Sequence, residues 1–311
     1  MKKILITGGA GFVGSHLCNA FLSRKYDVYT VDDLSNGDED NINKAVKYDK
    51  FDLSTDEIFI KYRNIKFDAV VHCAAQSSNA LSFKNIKNDL YSNLVATYNI
   101  LKLCEYNSIN RLIFTSSMSI YGQANILPTP ETCEANPNSY YAINKLFAEK
   151  YIRLFSSNSN INYTIFRLYT TYGVGQNLKN RNQGLLSIYL SYILANDELI
   201  IKGSSDRKRD IICVSDVVDA IVMSYDSKRT FNKTYNLGSG VTISVKEIIN
   251  LLVKGLVKNP NEYPIKYLDN TTGDPFETQA DMSLLMSDLG WSPKLMPKEG
   301  IQKTIEFYNQ K

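Results

Sequence analysis

Histidine and cysteine are scarce in this chain of 311 residues. It has two histidines, and its five cysteines show no paired spacing. The cysteines are Cys18, Cys73, Cys104, Cys133 and Cys213. A Cys/His zinc site is therefore not expected, and we predict no bound metal. Reduced thiols are typical of a protein that stays in the cytoplasm, which is the location we predict.

Long hydrophobic runs are also missing. No apolar stretch approaches the roughly 18 residues of a membrane span. Four glycines between positions 8 and 14 interrupt the apolar start that follows Lys2 and Lys3, so we expect no signal peptide. The 35 basic and 32 acidic residues leave a formal net charge of only +3, which gives no nucleic-acid footprint. We expect a small-molecule partner, and neither a membrane nor a nucleic acid.

The first half of the chain alternates short apolar runs with amphipathic stretches. The predicted strands are Ile4–Thr7, Val28–Val31, Phe67–Val71, Leu112–Phe114 and Tyr163–Leu168, and the predicted helices include Phe12–Leu22, Leu90–Glu105 and Tyr141–Phe155. Short, wholly apolar strands are typical of a parallel sheet that is covered on both faces. The repeated β–α units therefore predict an α/β fold with a doubly wound parallel sheet of the Rossmann type.

The pattern changes near residue 170, where a stretch rich in glycine and asparagine begins. We predict a Rossmann domain over residues 1–170 and a smaller α/β substrate-binding domain over residues 171–311. The amphipathic segment Val214–Tyr225 indicates that the chain returns to the first domain over about residues 211–236. No Pro/Gly/Ser linker separates the two domains, so we expect them to be interleaved.

Glycine recurs at positions 8, 11 and 14, directly after the first predicted strand and at the start of the first predicted helix. A tight turn, a close approach of backbone to a diphosphate and close helix–strand packing each favour a residue without a Cβ atom. The helix N-terminus, at Phe12 and Val13, offers unpaired N–H groups and the positive end of its dipole to that diphosphate. We therefore predict a dinucleotide site over Gly8, Gly11 and Gly14.

Asp32 and Asp33 close the second predicted strand, and Asp32 lies eighteen residues beyond Gly14. A carboxylate there accepts hydrogen bonds from both ribose hydroxyls and repels a 2′-phosphate. The first domain is therefore predicted to bind NAD rather than NADP. Asp52 and Leu53 are weaker candidates for contact with the adenine edge of the cofactor.

Tyr141 and Lys145 lie four residues apart on one face of a predicted helix. Ser117 ends the run after the strand Leu112–Phe114, at the sheet edge where a doubly wound fold binds its dinucleotide. Ser117, Tyr141 and Lys145 are therefore the candidate catalytic residues.

The predicted role of Tyr141 as a base depends on its pKa. Lowering the pKa of a phenol from about 10 to about 7 takes about 4 kcal/mol, and one cation about 4 Å away supplies roughly that amount. Burial of the phenolate opposes the change. We therefore expect Lys145 to lower the pKa of Tyr141 part of the way, and the positive nicotinamide of NAD to complete the change.

These motifs, taken in order, resemble the extended short-chain dehydrogenase/reductase family, and within it the NAD-dependent nucleotide-sugar epimerases and dehydratases. The resemblance covers nearly the whole chain and rests on Thr7–Gly14, Asp32–Gly37, Asp52-Leu53, His72–Gln76, Asn93, Ser116–Gly122, Tyr141–Lys145, Arg167–Gly173, Arg209-Asp210, Val214–Ala220 and Gly273–Asp281. It implies NAD as cofactor and a homodimer. It also implies cofactor contacts from Ser35, Asn36, Gly37, Ala74, Ala75, Gln76, Asn93, Ser116, Tyr141, Lys145 and Tyr169.

The serine segment separates the enzyme classes within this family. Sugar 4,6-dehydratases carry Thr-Asp-Glu where this chain has Ser117, Met118 and Ser119, and UDP-glucuronate decarboxylases also carry an acidic residue there. Without that acid and base, the resemblance implies a 4-epimerase. In such an enzyme Tyr141 takes the proton of the sugar 4-hydroxyl, Ser117 hydrogen-bonds the 4-oxygen, and Lys145 holds the nicotinamide ribose. NAD accepts a hydride from C4 and returns it to the opposite face.

The substrate end departs from the family pattern. Thr170 stands where many glucose-type epimerases have asparagine, and where UDP-glucuronate 4-epimerases commonly have threonine. Thr271 and Thr272 occupy the place of the family's diphosphate arginine. The expected substrate contacts are Ser117, Met118, Tyr141, Thr170 and Arg209, with Arg181 or Lys202 as a second cation. A UDP carrier is favoured, and the sugar stays open among hexose, hexuronate, acetamido and deoxy forms.

Two other functions stay open at this point. A nucleotide-4-keto-sugar reductase would have the same fold but would release its reduced cofactor in every cycle. A protein that only senses a dinucleotide would have no need of Tyr141. His16 and His72 are expected to be satisfied structural histidines, and the run Arg207–Arg209 to be solvated apart from Arg209.

Overall fold

The computed structural model describes residues 1–268 and 274–310 and is built around a parallel sheet of seven strands. The strands are β1 Lys3–Thr7, β2 Asp27–Asp32, β3 Lys47–Lys50, β4 Ala69–His72, β5 Arg111–Ser117, β6 Asn162–Leu168, β7 Thr170–Tyr172, β8 Leu199–Lys202, β9 Lys208–Cys213, β10 Lys233–Leu237, β11 Thr242–Ser244, β12 Ile265–Leu268 and β13 Glu277–Thr278. The central sheet has the order β10-β6-β5-β4-β1-β2-β3, and all of its pairs are parallel.

Helices connect these strands and cover the sheet. They are α1 Phe12–Ser23, α2 Glu57–Tyr62, α3 Asn79–Lys84, α4 Ile86–Leu90, α5 Ala96–Tyr106, α6 Tyr140–Ser157, α7 Leu185–Leu194, α8 Val214–Asp226, α9 Val245–Leu256, α10 Ser283–Leu289 and α11 Pro297–Asn309. Within the described residues, no helix is long and apolar enough to cross a membrane. The cytoplasmic location stays a prediction.

Alternation along the strands gives the sheet two buried faces. Leu5, Leu112 and Phe114 point to a core shared with α2, α5 and α6. Their neighbours Ile4 and Ile113 belong to the opposite core, shared with α1 and α8. Because successive side chains of a strand point to opposite faces, an unbroken apolar run is buried on both sides. The prediction of a doubly wound Rossmann sheet is confirmed.

The sheet order reverses between β1 and β4. From β1 the chain winds to β2 and β3 on one side, and from β4 to β5, β6 and β10 on the other. Gly8, after β1, packs so tightly against the segment after β4 that a Cβ atom on it would lie 2.8 Å from the Ala74 nitrogen. Such a reversal opens a crevice at the carboxyl ends of the strands, which is where ligands bind in these folds.

A second, smaller core lies around β9. Strand β9 pairs with β7, β11 and β13, and β8 pairs with β12. Side chains from α7, α9 and α11 fill this core together with Tyr172 and Ile211. Strand β10 then joins the central sheet beside β6, and α8 packs against α1. The placement of the domain boundary at residue 170 stays a prediction.

The helix predicted over Leu90–Glu105 is interrupted in the structure. It begins at Ile86, and a π-helical turn over Tyr91–Val95 joins α4 to α5. A π turn inserts a residue that a 3.6-residue period does not contain, and such turns are frequent at functional sites. Here the turn contains Asn93, which is buried at 1% exposure.

Candidate functional site

A cavity of about 570 Å³ lies at the carboxyl ends of the central strands, where the sheet order reverses. It is lined by Gly8, Gly11, Phe12, Val13, Gly14, Asp32, Asp33, Ser35, Asn36, Gly37, Asp52, Leu53, Ala74, Ala75, Gln76, Ser116, Ser117, Met118, Tyr141, Lys145, Tyr169, Thr170 and Arg209. These are all of the predicted cofactor and substrate residues except Asn93 and the two candidates for a second cation, Arg181 and Lys202. Residues far apart in the sequence are therefore brought to one place by the fold.

The glycine loop fits a diphosphate. A Cβ atom on Gly14 would collide with the carbonyl oxygen of Gly8, and Gly8 itself has a φ of +75°. Gly11 caps the N-terminus of α1 without a side-chain hydrogen bond. The first turn of the helix is thereby presented to the cavity, and its dipole and N–H groups favour an anion there.

Asp32 is held at the end of β2 with its carboxylate against the cavity. Its Oδ2 accepts a hydrogen bond from the Ala10 nitrogen at 3.0 Å, and its Oδ1 accepts one from the Leu34 nitrogen at 2.9 Å. Burial raises the pKa of this carboxyl, and these two N–H donors oppose the rise. The arrangement fits a ribose whose hydroxyls donate to a carboxylate.

Ser117, Tyr141 and Lys145 come together on the opposite wall of the cavity. Helix α6 begins at Tyr140 because the Ser139 hydroxyl caps it and accepts from the Ala142 nitrogen at 3.1 Å. Tyr141 is 7% exposed, and the Ser117 hydroxyl lies near enough to its phenol to lower the pKa of that group.

Lys145, one turn further along α6, donates from Nζ to the Thr115 carbonyl oxygen at 2.9 Å. Its ammonium also stands 4.5 Å from the centre of the Phe114 ring. The sequence-based placement of these three groups agrees with this geometry, and their catalytic roles stay a proposal.

The expected effect of Lys145 on Tyr141 is wrong for the protein without a bound ligand. Burial raises the pKa of Tyr141 to about 12, the hydrogen bond from Ser117 lowers it, and the charge of Asp89 raises it. Burial likewise lowers the pKa of Lys145 to about 8. Desolvation therefore outweighs the attraction that we assigned to the lysine, and Tyr141 is a neutral phenol at pH 7.

Glu149, on the next turn of α6, is fully buried and is the centre of an ion-pair cluster. Arg167 contacts it with Nε at 3.0 Å and Nη2 at 2.9 Å, and Arg153 adds a contact at 2.7 Å. The Ser116 hydroxyl donates to it at 2.6 Å. Hydrogen bonds from Arg167 hold the pKa of Glu149 below its usual value against the effect of burial. Ser116 thus borders the cavity while its hydroxyl is used to hold Glu149.

Asn93 lies one layer behind the cavity wall and takes part in a buried polar cluster that the sequence did not indicate. Its Nδ2 donates to the Gln76 carbonyl at 3.0 Å and to Asp89 Oδ1 at 3.1 Å. Its Oδ1 is buried and has no hydrogen-bond partner within the described residues.

The centre of this cluster is Asp89, which is fully buried. Gln76 donates to its Oδ1 at 2.6 Å, and Asn144, the residue before Lys145, donates to its Oδ2 at 2.7 Å. One signal could have found Asp89: it precedes Asn93 by four residues, so the two share a helix face.

The substrate end of the cavity contains a buried pair of arginines. Arg209 Nη2 contacts Asp274 Oδ1 at 2.7 Å, and Arg207 Nη1 contacts the other oxygen of the same carboxylate. Arg207 is 6% exposed, so the expectation that it is solvated is wrong. The carboxylate of Asp274 pairs with both guanidinium groups and offsets one of their two positive charges, which favours their burial.

The other positions considered for the diphosphate have different surroundings. Arg181 pairs with Asp197 at 2.5 Å, and Lys202 is exposed. Neither residue lines the cavity as described. Thr271 and Thr272 lie outside the described residues. Arg209 is therefore the cation that the described structure offers to a diphosphate.

A loop of side-chain amides, residues 176–183, crosses the mouth of the cavity, and we call it the amide strap. It meets Asn36, in the loop after β2. Asn177 and Asn180 donate to the carbonyl and to Oδ1 of Asn36 at 3.3 and 2.5 Å, and Asn36 donates to Gln183 at 2.8 Å.

The far end of the amide strap reaches the loop after β4. Gln183 donates to the Ser77 hydroxyl, and the Ser78 hydroxyl donates to the Asn182 carbonyl at 3.0 Å. The strap thus links the two loops that flank the predicted cofactor position. The sequence indicated only a loop here, because its partners are distant in the chain.

Both histidines are satisfied within the fold. His72 makes contacts of 2.7 Å to the Thr7 hydroxyl and 3.1 Å to the Thr97 hydroxyl, and burial lowers its pKa to about 3. His16 contacts the Val174 carbonyl at 2.9 Å. These contacts agree with the structural role that we predicted.

Comparisons with known proteins agree with this site. The NAD dependent epimerase/dehydratase family model matches residues 4–238. The UDP-glucose 4-epimerase of Mycolicibacterium smegmatis is 30% identical, over 99% of this chain and 99% of the relative. UDP-glucuronic acid decarboxylase 3 of Arabidopsis thaliana is 28% identical, over 96% of this chain and 86% of the relative. A crystal structure of the Thermotoga maritima UDP-glucose 4-epimerase with UDP-glucose is 29% identical, covers 99% of both chains and has a TM-score of 0.92.

The family model matches more than half of this chain, and the matched part contains the glycine loop, Asp32, Ser117, Tyr141 and Lys145. The predictions of the family, of NAD as cofactor and of an enzyme of the epimerase type are confirmed. The chain belongs to the NAD-dependent epimerase/dehydratase family, as an NAD-dependent enzyme of the nucleotide-sugar epimerase type.

Proposed function

We propose that this enzyme inverts C4 of a UDP-linked hexose, with UDP-glucose and UDP-galactose as the first pair to test. The observation that carries the proposal is the wall next to Tyr141, where Ser117, Met118 and Ser119 supply no carboxylate. The carboxylates that line the described cavity are Asp32, Asp33, Asp52 and Asp274. They belong to the cofactor side or pair with Arg209, so none is placed to eliminate water or to assist loss of CO₂ from the sugar.

The residues around Tyr141 have the roles that a 4-epimerase needs. Bound NAD supplies a hydride acceptor for C4 and a positive charge next to the phenol. Tyr141 holds the proton removed from the 4-hydroxyl, and Ser117 keeps the 4-oxygen within hydrogen-bonding distance of it. Lys145 adds a cation behind the phenol. Because the two faces of C4 must be turned toward the nicotinamide in succession, Met118, an unbranched and flexible side chain, suits the position next to the sugar.

The diphosphate of the substrate is assigned to Arg209. Its guanidinium is 5% exposed and borders the cavity, where it can make a charge-assisted pair with a phosphate oxygen. UDP-glucose is the ligand of the T. maritima structure and appears in the name of the M. smegmatis relative. These similarities support UDP-hexoses ahead of hexuronates and acetamido sugars.

A decarboxylase is the second candidate, because UDP-glucuronic acid decarboxylase 3 is 28% identical over most of its length. The serine segment argues against it. The same assay separates the two reactions, since decarboxylation changes the mass of the nucleotide sugar and epimerisation does not.

The test is to incubate the purified protein with UDP-, dTDP-, GDP- and CDP-sugars without added cofactor, and to follow the products by chromatography and mass spectrometry together with NADH absorbance. We expect conversion of UDP-glucose into UDP-galactose with unchanged mass and no net NADH. Loss of CO₂ from UDP-glucuronate would identify a decarboxylase. Turnover only with stoichiometric NADH or NADPH would identify a reductase.

A pair of neighbouring tyrosines provides the matched variants. Tyr141→Phe should lose at least 100-fold in turnover while it keeps its NAD, because only the proton-carrying oxygen is removed. Tyr140→Phe changes a 39% exposed side chain one position away and should behave as the wild type. Unchanged turnover in Tyr141→Phe would contradict the proposal.

We also propose a homodimer. Large apolar side chains are exposed on one group of helices: Phe83 on α3, Ile86 on α4, Tyr98 on α5, and Phe147, Tyr151 and Leu154 on α6. Exposed apolar surface of this extent favours association, and a second copy offers the same face. Light scattering should give a dimer mass for the wild type and a monomer mass for Tyr151→Glu; a monomeric wild type would contradict the proposal.

A further inference from the structure

The buried cluster behind the candidate catalytic residues contains one carboxylate with no ion pair. Within the described residues, no cation lies within ion-pair distance of Asp89, although its side chain is fully buried. A buried carboxylate normally costs several kcal/mol unless it is paired or hydrogen-bonded. Here the hydrogen bonds come from side-chain amides alone.

We infer that Asp89 is a positioning residue for Tyr141 and Lys145: its carboxylate fixes the wall behind them and provides the negative charge that keeps the lysine cationic. The inference rests on the proposed function for its turnover assay only.

Geometry supports the first half of this inference. Asp89 accepts from Gln76 in the loop after β4, from Asn93 in the π turn and from Asn144 on α6. Three segments that border the cavity therefore meet at one carboxylate. Asn144 lies between Tyr141 and Lys145 in the sequence, so its bond to Asp89 fixes the rotation of α6 about its axis.

The charges around Lys145 support the second half. From the β4 side it meets His72 and Cys73, which are neutral at pH 7 because burial lowers the pKa of the imidazole to about 3 and raises that of the thiol to about 12. From its own helix it meets Glu149. That carboxylate is already balanced by two arginines, Arg153 and Arg167.

Asp89 is thus the acidic neighbour of Lys145 whose charge is not balanced by another residue described here. Its charge raises the pKa of Lys145, and it also raises the pKa of Tyr141. From β5, the Thr115 carbonyl and the Phe114 ring add dipole and quadrupole contacts to the ammonium. Burial raises the pKa of Asp89, and the N–H donors on its oxygens, together with the charge of Lys145, oppose the rise and stabilise the ionised carboxylate.

The sign of the effect follows from these charges. Replacement of Asp89 by asparagine removes an anion, so the ammonium form of Lys145 is less favoured and the phenolate form of Tyr141 is more favoured. The pKa of both groups therefore falls. Turnover needs Tyr141 able to accept a proton and Lys145 protonated, so both limbs of the pH profile should move to lower pH, by about one pH unit.

The experiment compares the pH profiles of kcat and kcat/KM for the holoenzyme and for Asp89→Asn, Asp89→Ser and Asp89→Glu. We expect both limbs to move to lower pH in the first two variants and to return toward the wild-type position in Asp89→Glu. Glu131→Gln is the control, since it removes a partly buried carboxylate that does not act on Tyr141 or Lys145. Its limbs should not move.

A lower rate with unmoved limbs in Asp89→Asn and Asp89→Ser would overturn the inference, because a purely structural residue has that effect. Loss of NAD and of cooperative thermal unfolding in both variants would overturn it for the same reason. If the wild type converts no sugar, the proposed function fails. The inference is then tested by tyrosinate absorption of each holoprotein minus that of its Tyr141→Phe counterpart, where the Tyr141 titration must still move to lower pH in Asp89→Asn.

Discussion

The two ends of the cavity are built in different ways. At the cofactor end the surface is formed by the glycine loop, by the Asp32 carboxylate that two backbone N–H groups hold, and by the amide strap bound to Asn36. At the substrate end, two buried guanidinium groups share the carboxylate of Asp274. The fold of the backbone fixes the cofactor end. The substrate end is held by ion pairs, in which a phosphate can replace the carboxylate.

The construction of each end determines which contacts must change when its ligand binds. In the binding mode that we predict, the diphosphate of NAD meets a helix N-terminus that the fold has already shaped, so no ion pair has to open. A substrate diphosphate has to compete with Asp274 for Arg209. Cofactor binding is therefore preorganised, whereas substrate binding exchanges one anion for another.

The largest effect should come from a change at the cofactor end. In Gly14→Ala the new methyl group collides with the Gly8 carbonyl, so the loop cannot keep its shape. We expect purified protein without NAD and a loss of at least 100-fold in turnover. Gly290→Ala is the control for a strained substitution away from the cavity, because Gly290 has a φ of +65° although no atom lies within 4 Å of the added Cβ; it should keep its NAD, whereas a Gly14→Ala protein with full NAD content would contradict the comparison.

A smaller effect, on KM for the nucleotide sugar rather than on the NAD content, is expected at the substrate end. Arg209→Met removes the charge that the diphosphate needs, and a charge-assisted hydrogen bond contributes about 1.5–3 kcal/mol. We expect KM for the nucleotide sugar to rise about 10-fold to 100-fold while the NAD content stays that of the wild type. Lys208 is the exposed neighbour of Arg209, and Lys208→Met should change neither KM nor the NAD content. Loss of NAD in Arg209→Met would show that the two ends are not independent.

The smallest effect is expected from the amide strap. Asn36→Ala removes the hydrogen bonds to Asn180 and Gln183, each contributing about 1 kcal/mol. The exchange of bound NAD for labelled NAD should become about 10-fold faster, with kcat unchanged. Asn43→Ala, which removes an exposed contact to Asn19 away from the cavity, serves as the control. An unchanged exchange rate in Asn36→Ala would show that the strap does not retain the cofactor.

Local patterns carried most of what the sequence could predict. The glycine loop is a pattern within one turn, and the Tyr141–Lys145 spacing is a pattern on one helix face. A parallel sheet brings the carboxyl ends of its strands together, and with them the segments that carry these residues. The π turn is different: it interrupts the helix at Tyr91–Val95, around Asn93, and a 3.6-residue pattern does not predict the interruption.

Contacts between residues that are distant in the chain were the second feature that the sequence could not predict. Arg207 and Arg209 alternate with exposed Lys208, which is the period of a strand with one buried face, yet burial of two arginines also needs an anion. That anion, Asp274, lies 65 residues beyond Arg209. The prediction for the pKa of Tyr141 was wrong for a related reason. The spacing of residues identifies the nearest cation, but it does not give the extent of desolvation.

The side chains of the amide strap that meet Asn36 and Ser77 carry no charge. Hydrogen bonds between neutral groups are not screened by dissolved salt, whereas the attraction between Arg209 and a diphosphate is. Rising ionic strength should therefore weaken the attraction of Arg209 for the nucleotide sugar and leave these neutral contacts of the strap in place. A change of salt would then act on the substrate end of the cavity before it acts on these contacts.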